Sequence, residues 1–378
     1  MARQKRPFFI IGHNPNTIEE AREFLQNGAN ALEPDIVCAD GQYYVSHTRH
    51  LSYKNIPLLT EYLRELKAML LAEQYNLALI IWDIKTVNFD PNHFMDTVKK
   101  HFSGEPFEGI IMLITNDDDY DFLNRFISRY QNVGIGLDES DIPPSQLEKI
   151  FKNANQRNFS YADGITTFLS KPGVYENITE AVNCRYENEP GSFGLIYTWV
   201  LSMKASICKY LDIYIDGIMV DVASVDLLKE LIANPPYNEV YELAQNGYNP
   251  FVAVPIPKYK LSIETKDKFM AGTNAQILFT LTGNSGESLK SLPFDGSLAG
   301  ALERGSITHV MLEGIDLGEI KCLAVEALTD GLGAGWMPGT ITVESPNLKE
   351  RLNFIFNSNG QEEWVTAKGG SLTKFPAP

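Results

Sequence analysis

Two histidines and three acidic residues in the first quarter of the chain have the types and spacing for metal-assisted acid–base chemistry. They are His13, Glu33, Asp35, His47 and Asp83, and each follows or ends a short strand-like run. An all-oxygen set of carboxylates suits Mg²⁺ or Ca²⁺ rather than zinc. Two imidazoles beside it can serve as nucleophile or base and as general acid. These residues therefore predict metal-assisted phosphoryl transfer.

The acidic residues are spaced so that their side chains meet. Glu33 and Asp35 are separated by one residue, so on a strand they point to the same side. Two carboxylates aimed together are costly unless a cation lies between them or they share a proton. Capping of the following loop is the alternative, but the position between two strand-end histidines favours a site. Lys85, two residues after Asp83, is expected to point the same way and to hold a phosphate oxygen.

The elements that must position these residues are β/α units. Up to about residue 250, short apolar runs alternate with segments of helical period, which is typical of a parallel sheet. Eight such units in about 230 residues predict a (β/α)8 TIM barrel, in which active sites lie at the C-terminal ends of the strands. A doubly wound open sheet is the alternative, and the absence of a G-x-G-x-x-G turn disfavours it.

The pattern changes after Pro255. Between Tyr259 and Val365 the chain has short β-rich runs separated by turn residues and no segment of helical period, which predicts an all-β sandwich. We therefore expect an α/β barrel domain over residues 1–255, a β-sandwich over 256–368 and a C-terminal tail over 369–378. Several prolines near the first boundary predict a stiff linker.

Composition limits the partners. The formal charge of −16 argues against a nucleic-acid partner and against simple electrostatic docking onto anionic bilayers. A zwitterionic lipid surface or a small cationic head group remains compatible. The four scattered cysteines indicate free thiols. No segment has the length of a transmembrane span, and the apolar run Phe8–Ile11 is too short for a signal sequence.

The spacing of the two histidines resembles that of a known superfamily. HNPNTIEEAREFLQNGANALEPDI followed by DGQYYVSHT is similar to glycerophosphodiester phosphodiesterases: His, an amphipathic helix ending in Gly-Ala, Glu-x-Asp, and His after a short hairpin. General members have His-Arg and His-Asp at the two histidines, where this chain has His13-Asn14 and His47-Thr48. These pairs resemble the sphingomyelinase D-like branch, the phospholipase D toxins of spiders and their bacterial and fungal relatives.

Further motifs of that branch recur over residues 7–252. They are matched by His13–Asn16, Trp82–Lys85, Tyr197–Trp199, Asp216–Met219 and, for a barrel-plugging Asp-Asn-Pro-Trp tail, Tyr248–Phe251. The spider enzymes carry cysteines in the loop after the second His, and the matching loop Thr48–Pro57 has none.

The resemblance implies a role for each residue of the site. It makes His13 and His47 the catalytic pair and Glu33, Asp35 and Asp83 the Mg²⁺ ligands. It assigns substrate binding to Lys85, Tyr197, Trp199 and Asn249. An aromatic ring beside a quaternary ammonium suits choline through cation–π attraction. Packing inside the barrel is the alternative for Trp199.

The C-terminal region resembles the PLAT/LH2 β-sandwich of lipases and lipoxygenases. Ala271–Ala275, Leu317-Gly318 and Trp336 carry the match. Such modules bind membrane surfaces or protein partners, which would place the loop around Phe269 and Met270 against lipid. Inward packing of Phe269 is the other interpretation and the one that we favour from the sequence.

Together these features predict a Mg²⁺-dependent phospholipase D acting on sphingomyelin or lysophospholipids. The family reaction expels the head-group alcohol by a neighbouring hydroxyl and forms a cyclic phosphate. A glycerophosphodiesterase of soluble substrates and a non-catalytic lipid-binding barrel are the alternatives. We expect an extracellular location, with a cytoplasmic, peripherally membrane-associated protein as the alternative.

Overall fold

The computed structural model describes residues 3–377 except 49, 51, 87–88, 105, 117–120, 128, 138–141, 165–172, 189–190, 299, 330–333 and 358–361. The chain divides into two compact units. One consists of Pro7–Asn234 and Tyr241–Pro255, and the other of Met1–Arg6, Pro235–Val240 and Ile256–Pro378. The first is an α/β unit and the second is all-β.

The α/β unit alternates strands with helices. Its strands are β1 (Arg6–His13), β2 (Ala31–Glu33), β3 (Asp35–Ala39), β4 (Gln42–Val45), β5 (Leu79–Ile84), β6 (Ile111–Asn116), β7 (Val133–Leu137), β8 (Ser160–Gly164), β9 (Leu195–Trp199), β10 (Gly217–Val220) and β11 (Tyr241–Leu243). Its helices are α1 (Ile18–Asn27), α2 (Leu59–Glu73), α3 (Pro91–His101), α4 (Asp121–Arg125), α5 (Pro144–Asn153), α6 (Val174–Asn188), α7 (Lys204–Leu211) and α8 (Val222–Ala233). A single 3₁₀ turn covers Phe107–Gly109 in this unit, and another covers Tyr237–Glu239 in the segment Pro235–Val240 of the second unit.

Eight parallel strands close into a barrel. The neighbours run in the order β1, β2, β5, β6, β7, and separately β8, β9, β10, with β10 returning to β1. A parallel bridge between Ile135 of β7 and Phe159, directly before β8, joins the two series. The predicted (β/α)8 barrel is therefore confirmed.

One predicted strand is split at a proline. The run ALEPDIV forms β2 and β3 with Pro34 between them, because proline has no N–H to donate to a sheet ladder. After the break, β3 pairs with β5 at Asp35 and Asp83 and also forms an antiparallel hairpin with β4. The break therefore sets two acidic side chains side by side.

Helix α1 packs against the C-terminal end of β1. Thr17 caps the helix in a capping box with Glu20, which satisfies otherwise unpaired N–H groups at its start. Its buried face consists of Ile18, Ala21, Phe24 and Leu25. The Phe24 ring lies so close to Gly12 that a Cβ there would be 2.6 Å from it. This packing fixes the end of β1, where His13 stands.

The N-terminal end of the barrel is closed by residues 248–251. The Phe251 ring lies over Gly134, where a Cβ would be 2.3 Å from the ring. Asn249 donates its side-chain N–H to the carbonyl of Gln131, just before β7, at 2.9 Å. The segment that resembles the plugging tail therefore lies at the N-terminal ends of the strands.

The second unit is a two-sheet sandwich. Its strands are β12 (Lys258–Thr265), β13 (Gln276–Gly283), β14 (Ser288–Lys290), β15 (Phe294–Asp295), β16 (Ile307–Glu313), β17 (Ile320–Ala327), β18 (Pro338–Glu344), β19 (Leu352–Ile355) and β20 (Leu372–Lys374). One sheet has the order β16-β12-β18-β19, and the other has β14-β13-β17-β20 with β15 on β13. Strand β20, which pairs with β17, lies within the segment that the sequence analysis treated as a tail.

The structure also bears on the cysteines and on membrane-spanning segments. All four cysteines are free thiols. Among the described residues, no helix has the length and apolar character needed to cross a bilayer.

Candidate active site

The five residues of the predicted site meet at the C-terminal end of the barrel. His13 ends β1 and is the register partner of Glu33 at the end of β2. Asp35 opens β3 and is the register partner of Asp83 in β5. His47 lies two residues beyond β4, and its Nδ1 is 3.2 Å from Asp35 Oδ1.

The three carboxylates form a compact, buried cluster. One oxygen from each of Glu33, Asp35 and Asp83 lies within 4.8 Å of the other two. Within the described part of the chain this is the one group of three or more potential ligands found so close together. No hydrogen-bond donor from the described residues reaches Asp83 Oδ1. An orphaned carboxylate oxygen in an all-oxygen cluster fits a hard divalent cation.

Electrostatics favour the same conclusion. Burial raises the pKa of Glu33 well above its usual value, and the charges of Asp83 and Asp35 raise it further. Burial also raises the pKa of Asp83, although the Lys85 ammonium at 2.5 Å opposes that rise. Retained protons or additional positive charge would relieve this repulsion, and Lys85 supplies one such charge. A divalent cation among the three carboxylates would stabilise their ionised forms further.

Two asparagines directly after β1 hold the carboxylates in place. The Asn14 backbone N–H donates to Glu33 Oε2 at 3.0 Å. Asn16 donates its side-chain N–H to Asp35 Oδ2 at 2.8 Å and accepts from the Asp35 backbone N–H at 2.9 Å. The sequence analysis gave these asparagines no role of their own, although their position next to a strand-end histidine in HNPN was a usable signal.

Each histidine has a carboxylate at its Nδ1. His13 Nδ1 lies 3.3 Å from Asp221 Oδ1, and His47 Nδ1 lies 3.2 Å from Asp35 Oδ1. The imidazole side chains are 29% and 57% exposed, respectively. A carboxylate on Nδ1 fixes the ring and leaves Nε2 to exchange protons. Asp221 was missed by the sequence analysis, and its position at the C-terminal end of β10 was the signal that would have found it.

The predicted substrate-binding residues do not all lie at the same end of the barrel. Lys85 Nζ contacts Asp83 and lies 3.7 Å from Asp35, as its spacing predicts. Tyr197 and Trp199 pack in or against the apolar cluster inside the barrel. Trp199 Nε1 is buried, and no acceptor within the described residues reaches it.

Asn249 does not join this site. Its side chain binds the Gln131 carbonyl at the N-terminal ends of the strands, opposite to the end that bears His13. The assignment of Asn249 to substrate binding is therefore corrected, because its amide is used to secure the plug.

Thr115 is a residue that the sequence analysis did not consider. It lies on β6 as the register partner of Asp83, and its fully buried hydroxyl has no hydrogen-bond partner within the described residues. No local pattern in the run GIIMLIT distinguishes it from a packing residue.

Comparison with known proteins agrees with this geometry. The family described as dermonecrotic toxin SPH matches residues 3–251. The chain belongs to this family. The PLAT/LH2 domain matches residues 259–368. Membership in the dermonecrotic toxin family makes the chain a phosphodiesterase of the phospholipase D type, and the alternative of a catalytically idle barrel is set aside.

Relatives of the dermonecrotic toxin family align with the barrel. Dermonecrotic toxin LlSicTox-alphaIV2ii of Loxosceles laeta is 24% identical over 64% of this chain and 98% of the toxin. Dermonecrotic toxin LarSicTox-alphaVII1 of Loxosceles arizonica is 26% identical over 64% of this chain and 99% of the toxin.

Solved structures of low sequence identity also match parts of the chain. A glycerophosphodiester phosphodiesterase from Parabacteroides distasonis is 14% identical, covers 61% of this chain and 98% of its own, and has a TM-score of 0.45. Coral 8R-lipoxygenase is 23% identical, covers 32% of this chain and 17% of its own, and has a TM-score of 0.27.

Proposed function

We propose that the barrel is a Mg²⁺-dependent phospholipase D that cleaves the head-group phosphodiester of sphingomyelin or of lysophospholipids. The observation that carries the proposal is the buried cluster of Glu33, Asp35 and Asp83 with His13 and His47 beside it. In this proposal the three carboxylates hold Mg²⁺, with Ca²⁺ as the alternative. The bound cation would supply charge stabilisation to the phosphate oxygens.

The two histidines divide the proton transfers. One Nε2 removes the proton from the attacking hydroxyl of the lipid, whose oxygen bonds to phosphorus. The other Nε2 protonates the oxygen of the departing choline or ethanolamine as its bond to phosphorus breaks. The products are a cyclic phosphate and the free head-group alcohol. Asp35 and Asp221 keep the rings oriented throughout by holding each Nδ1.

Substrate binding is assigned to residues around the cluster. Lys85 Nζ lies beside Asp83 and Asp35, which would hold the cation. A phosphate bound to that cation would therefore lie next to the ammonium, which donates to a non-bridging phosphate oxygen. Tyr197 and Trp199 stand two residues apart on β9 and so face the same side of the strand. The partly exposed Trp199 ring receives a cationic head group by cation–π attraction, and the fully buried Tyr197 supports it from within the apolar cluster.

The β-sandwich is proposed to dock on lipid. Phe269 is 77% exposed and Met270 65% exposed, so the inward packing considered for Phe269 is wrong. Ile307, 68% exposed, belongs to the same end of the sandwich, because Thr265 N–H donates to the Ser306 carbonyl at 3.0 Å. Large exposed apolar side chains grouped together mark interaction surfaces.

We propose an extracellular location, which the relatives that are named as toxins support. A cytoplasmic, peripherally membrane-associated protein is the alternative.

The second candidate is a glycerophosphodiesterase, favoured only by the shared His and Glu-x-Asp spacing. The two candidates differ in their product, which ³¹P NMR can distinguish. Sphingomyelin, lysophosphatidylcholine and glycerophosphocholine are each incubated with Mg²⁺ or with EDTA. We expect a cyclic phosphate from one of the two lipids with Mg²⁺ and no turnover with EDTA. A linear monoester formed only from glycerophosphocholine would contradict the proposal and support the second candidate.

A further inference from the structure

The loop that carries His47 is closed at its base by strand-like pairing. Val45 N–H donates to the Pro57 carbonyl at 3.0 Å, and Tyr44 forms an antiparallel bridge with Leu58. Between these points the chain has no cysteine. Non-covalent contacts must therefore order the loop on which His47 stands.

Ser46 and His50, which lie on either side of His47 in the sequence, are within hydrogen-bond distance of each other. Ser46 Oγ donates to the Thr48 carbonyl at 3.0 Å and lies 2.8 Å from His50 Nε2. A serine hydroxyl has one hydrogen, and here the Thr48 carbonyl receives it. With the hydrogen of Ser46 on that carbonyl, the tautomer of His50 that carries its proton on Nε2 donates to Ser46 Oγ. Ser46 also donates its backbone N–H to the Asp35 carbonyl at 2.9 Å, which ties the pair to the acidic cluster.

Tyr53 anchors His50 to the sheet. The His50 backbone N–H donates to the Tyr53 hydroxyl at 3.1 Å, and the two rings meet edge to face at 5.7 Å. Tyr53 in turn packs on Tyr44 of β4 with ring centroids 4.3 Å apart. These contacts link β4 to the residues on both sides of His47.

We propose that His50 is a positioning residue for the reaction, acting through Ser46 to orient His47. The inference rests on the proposed catalytic role of His47. The His47 side chain is more than half exposed, so packing alone does not fix its ring. Its hydrogen bond to Asp35 is retained only if the backbone of residues 46–48 keeps its conformation.

The test compares two substitutions at His50. Alanine removes the donor to Ser46, whereas glutamine keeps an N–H at about the position of Nε2. With Mg²⁺ and the lipid that the wild type cleaves, we expect His50→Ala to lower kcat on the order of tenfold, since a misplaced catalytic group is lost mainly from kcat. KM is expected to stay within about twofold. His50→Gln should recover most of kcat.

A matched control lies in the β-sandwich. Ser262 Oγ and His309 Nδ1 are 3.1 Å apart there, so His309→Ala removes an equivalent serine–histidine contact. This variant should leave kcat unchanged. Ser46→Ala should reproduce the His50→Ala loss, and the double variant should show no further loss. A full additional loss in the double variant would overturn the inference.

Two more measurements separate this inference from the proposed function. In a His47→Ala background, His50→Ala should cost nothing more. Hydrogen exchange at the Ser46 amide, which reports local opening independently of activity, should rise in His50→Ala and not in His50→Gln. Unchanged turnover in His47→Ala contradicts the proposed function itself. Lost turnover in His47→Ala with unchanged kcat in His50→Ala overturns only the role of His50.

Discussion

Replacing Glu33 by glutamine removes an ionisable group from the buried cluster and keeps the shape of the side chain. The amide oxygen can still accept from the Asn14 N–H, so the local hydrogen bond is retained. We expect this change to stabilise the metal-free protein at neutral pH and to abolish its stabilisation by Mg²⁺. The two effects have the same cause, because the carboxylate that repels its neighbours is also one of the proposed Mg²⁺ ligands.

The magnitude follows from the distances within the cluster. Two ionised carboxylates at the 4.8 Å limit repel by about 3 kcal/mol at an effective dielectric constant of about 20. Retained protons relieve part of this cost, which is why the pKa of Glu33 is raised. We therefore expect a gain of about 1–3 kcal/mol in the unfolding free energy of the metal-free variant at pH 7.5.

The sign depends on pH. The folded-state pKa of Glu33 lies above its unfolded value, so the contribution of this group to stability is complete below about pH 4. That contribution is lost as the pH rises through the folded pKa. The gain from glutamine should consequently be absent at pH 4 and present at pH 7.5.

Urea unfolding followed by circular dichroism measures this effect. The helical signal reports the α/β unit, because helices α1–α8 belong to it. Mg²⁺ at 100 times its dissociation constant should add about 2.7 kcal/mol to the wild type and little to the variant. Glu148→Gln is the matched control, because Glu148 is buried but already paired with Lys152 and Asn188. It should be destabilised and should keep the response to Mg²⁺.

The result that would refute this reasoning is a Glu33→Gln protein that is less stable than the wild type without metal at pH 7.5 and is still stabilised by Mg²⁺. Such a protein would show that the carboxylate of Glu33 neither repels its neighbours nor binds the cation.

Three further predictions concern other parts of the molecule. Asp216→Asn removes the counter-charge of the buried Arg185 guanidinium, which keeps only uncharged acceptors such as the Tyr214 carbonyl, and should lower the urea unfolding free energy by about 3 kcal/mol. A loss below about 0.5 kcal/mol would show that the pair is not structural. Lys85→Gln removes the charge that opposes the raised pKa of Asp83, so the ratio of the variant's Mg²⁺ affinity to that of the wild type, measured by calorimetry, should be lower at pH 6 than at pH 8. Equal ratios at the two pH values would contradict this. The double variant Phe269→Ser, Met270→Ser should weaken sedimentation with phosphatidylcholine vesicles about tenfold or more, while Phe375→Ser, exposed elsewhere in the sandwich, should not. Equal weakening in both would contradict a role specific to the 266–271 loop.

The barrel could be predicted from the sequence because the periodic patterns of strands and helices are local. Each strand is an apolar run and each helix has an apolar face, so eight units can be counted without knowing their contacts. The site followed from the same property, since strand ends of a barrel converge on one face. Lys85 was placed correctly from its two-residue spacing to Asp83 alone.

What the sequence did not reveal depends on contacts between distant residues. Asp221 and His13 are 208 positions apart and meet only because β10 closes the barrel beside β1. Asn249 was assigned to the wrong end of the barrel, because a motif match gives no direction relative to the strands. Strand β20 escaped notice because a three-residue edge strand is too short to show a period.

The measurement that tests the central claim most directly is the rate of phosphodiester cleavage by His13→Asn, followed by ³¹P NMR on the lipid that the wild type cleaves. His93→Asn is the control, because His93 forms a hydrogen bond with Tyr43 and is not one of the two site histidines. We predict that His13→Asn loses on the order of a thousandfold in rate, as expected for removal of a general acid or base, while the control keeps its activity. A His13→Asn protein that cleaves the lipid at the wild-type rate would contradict the claim.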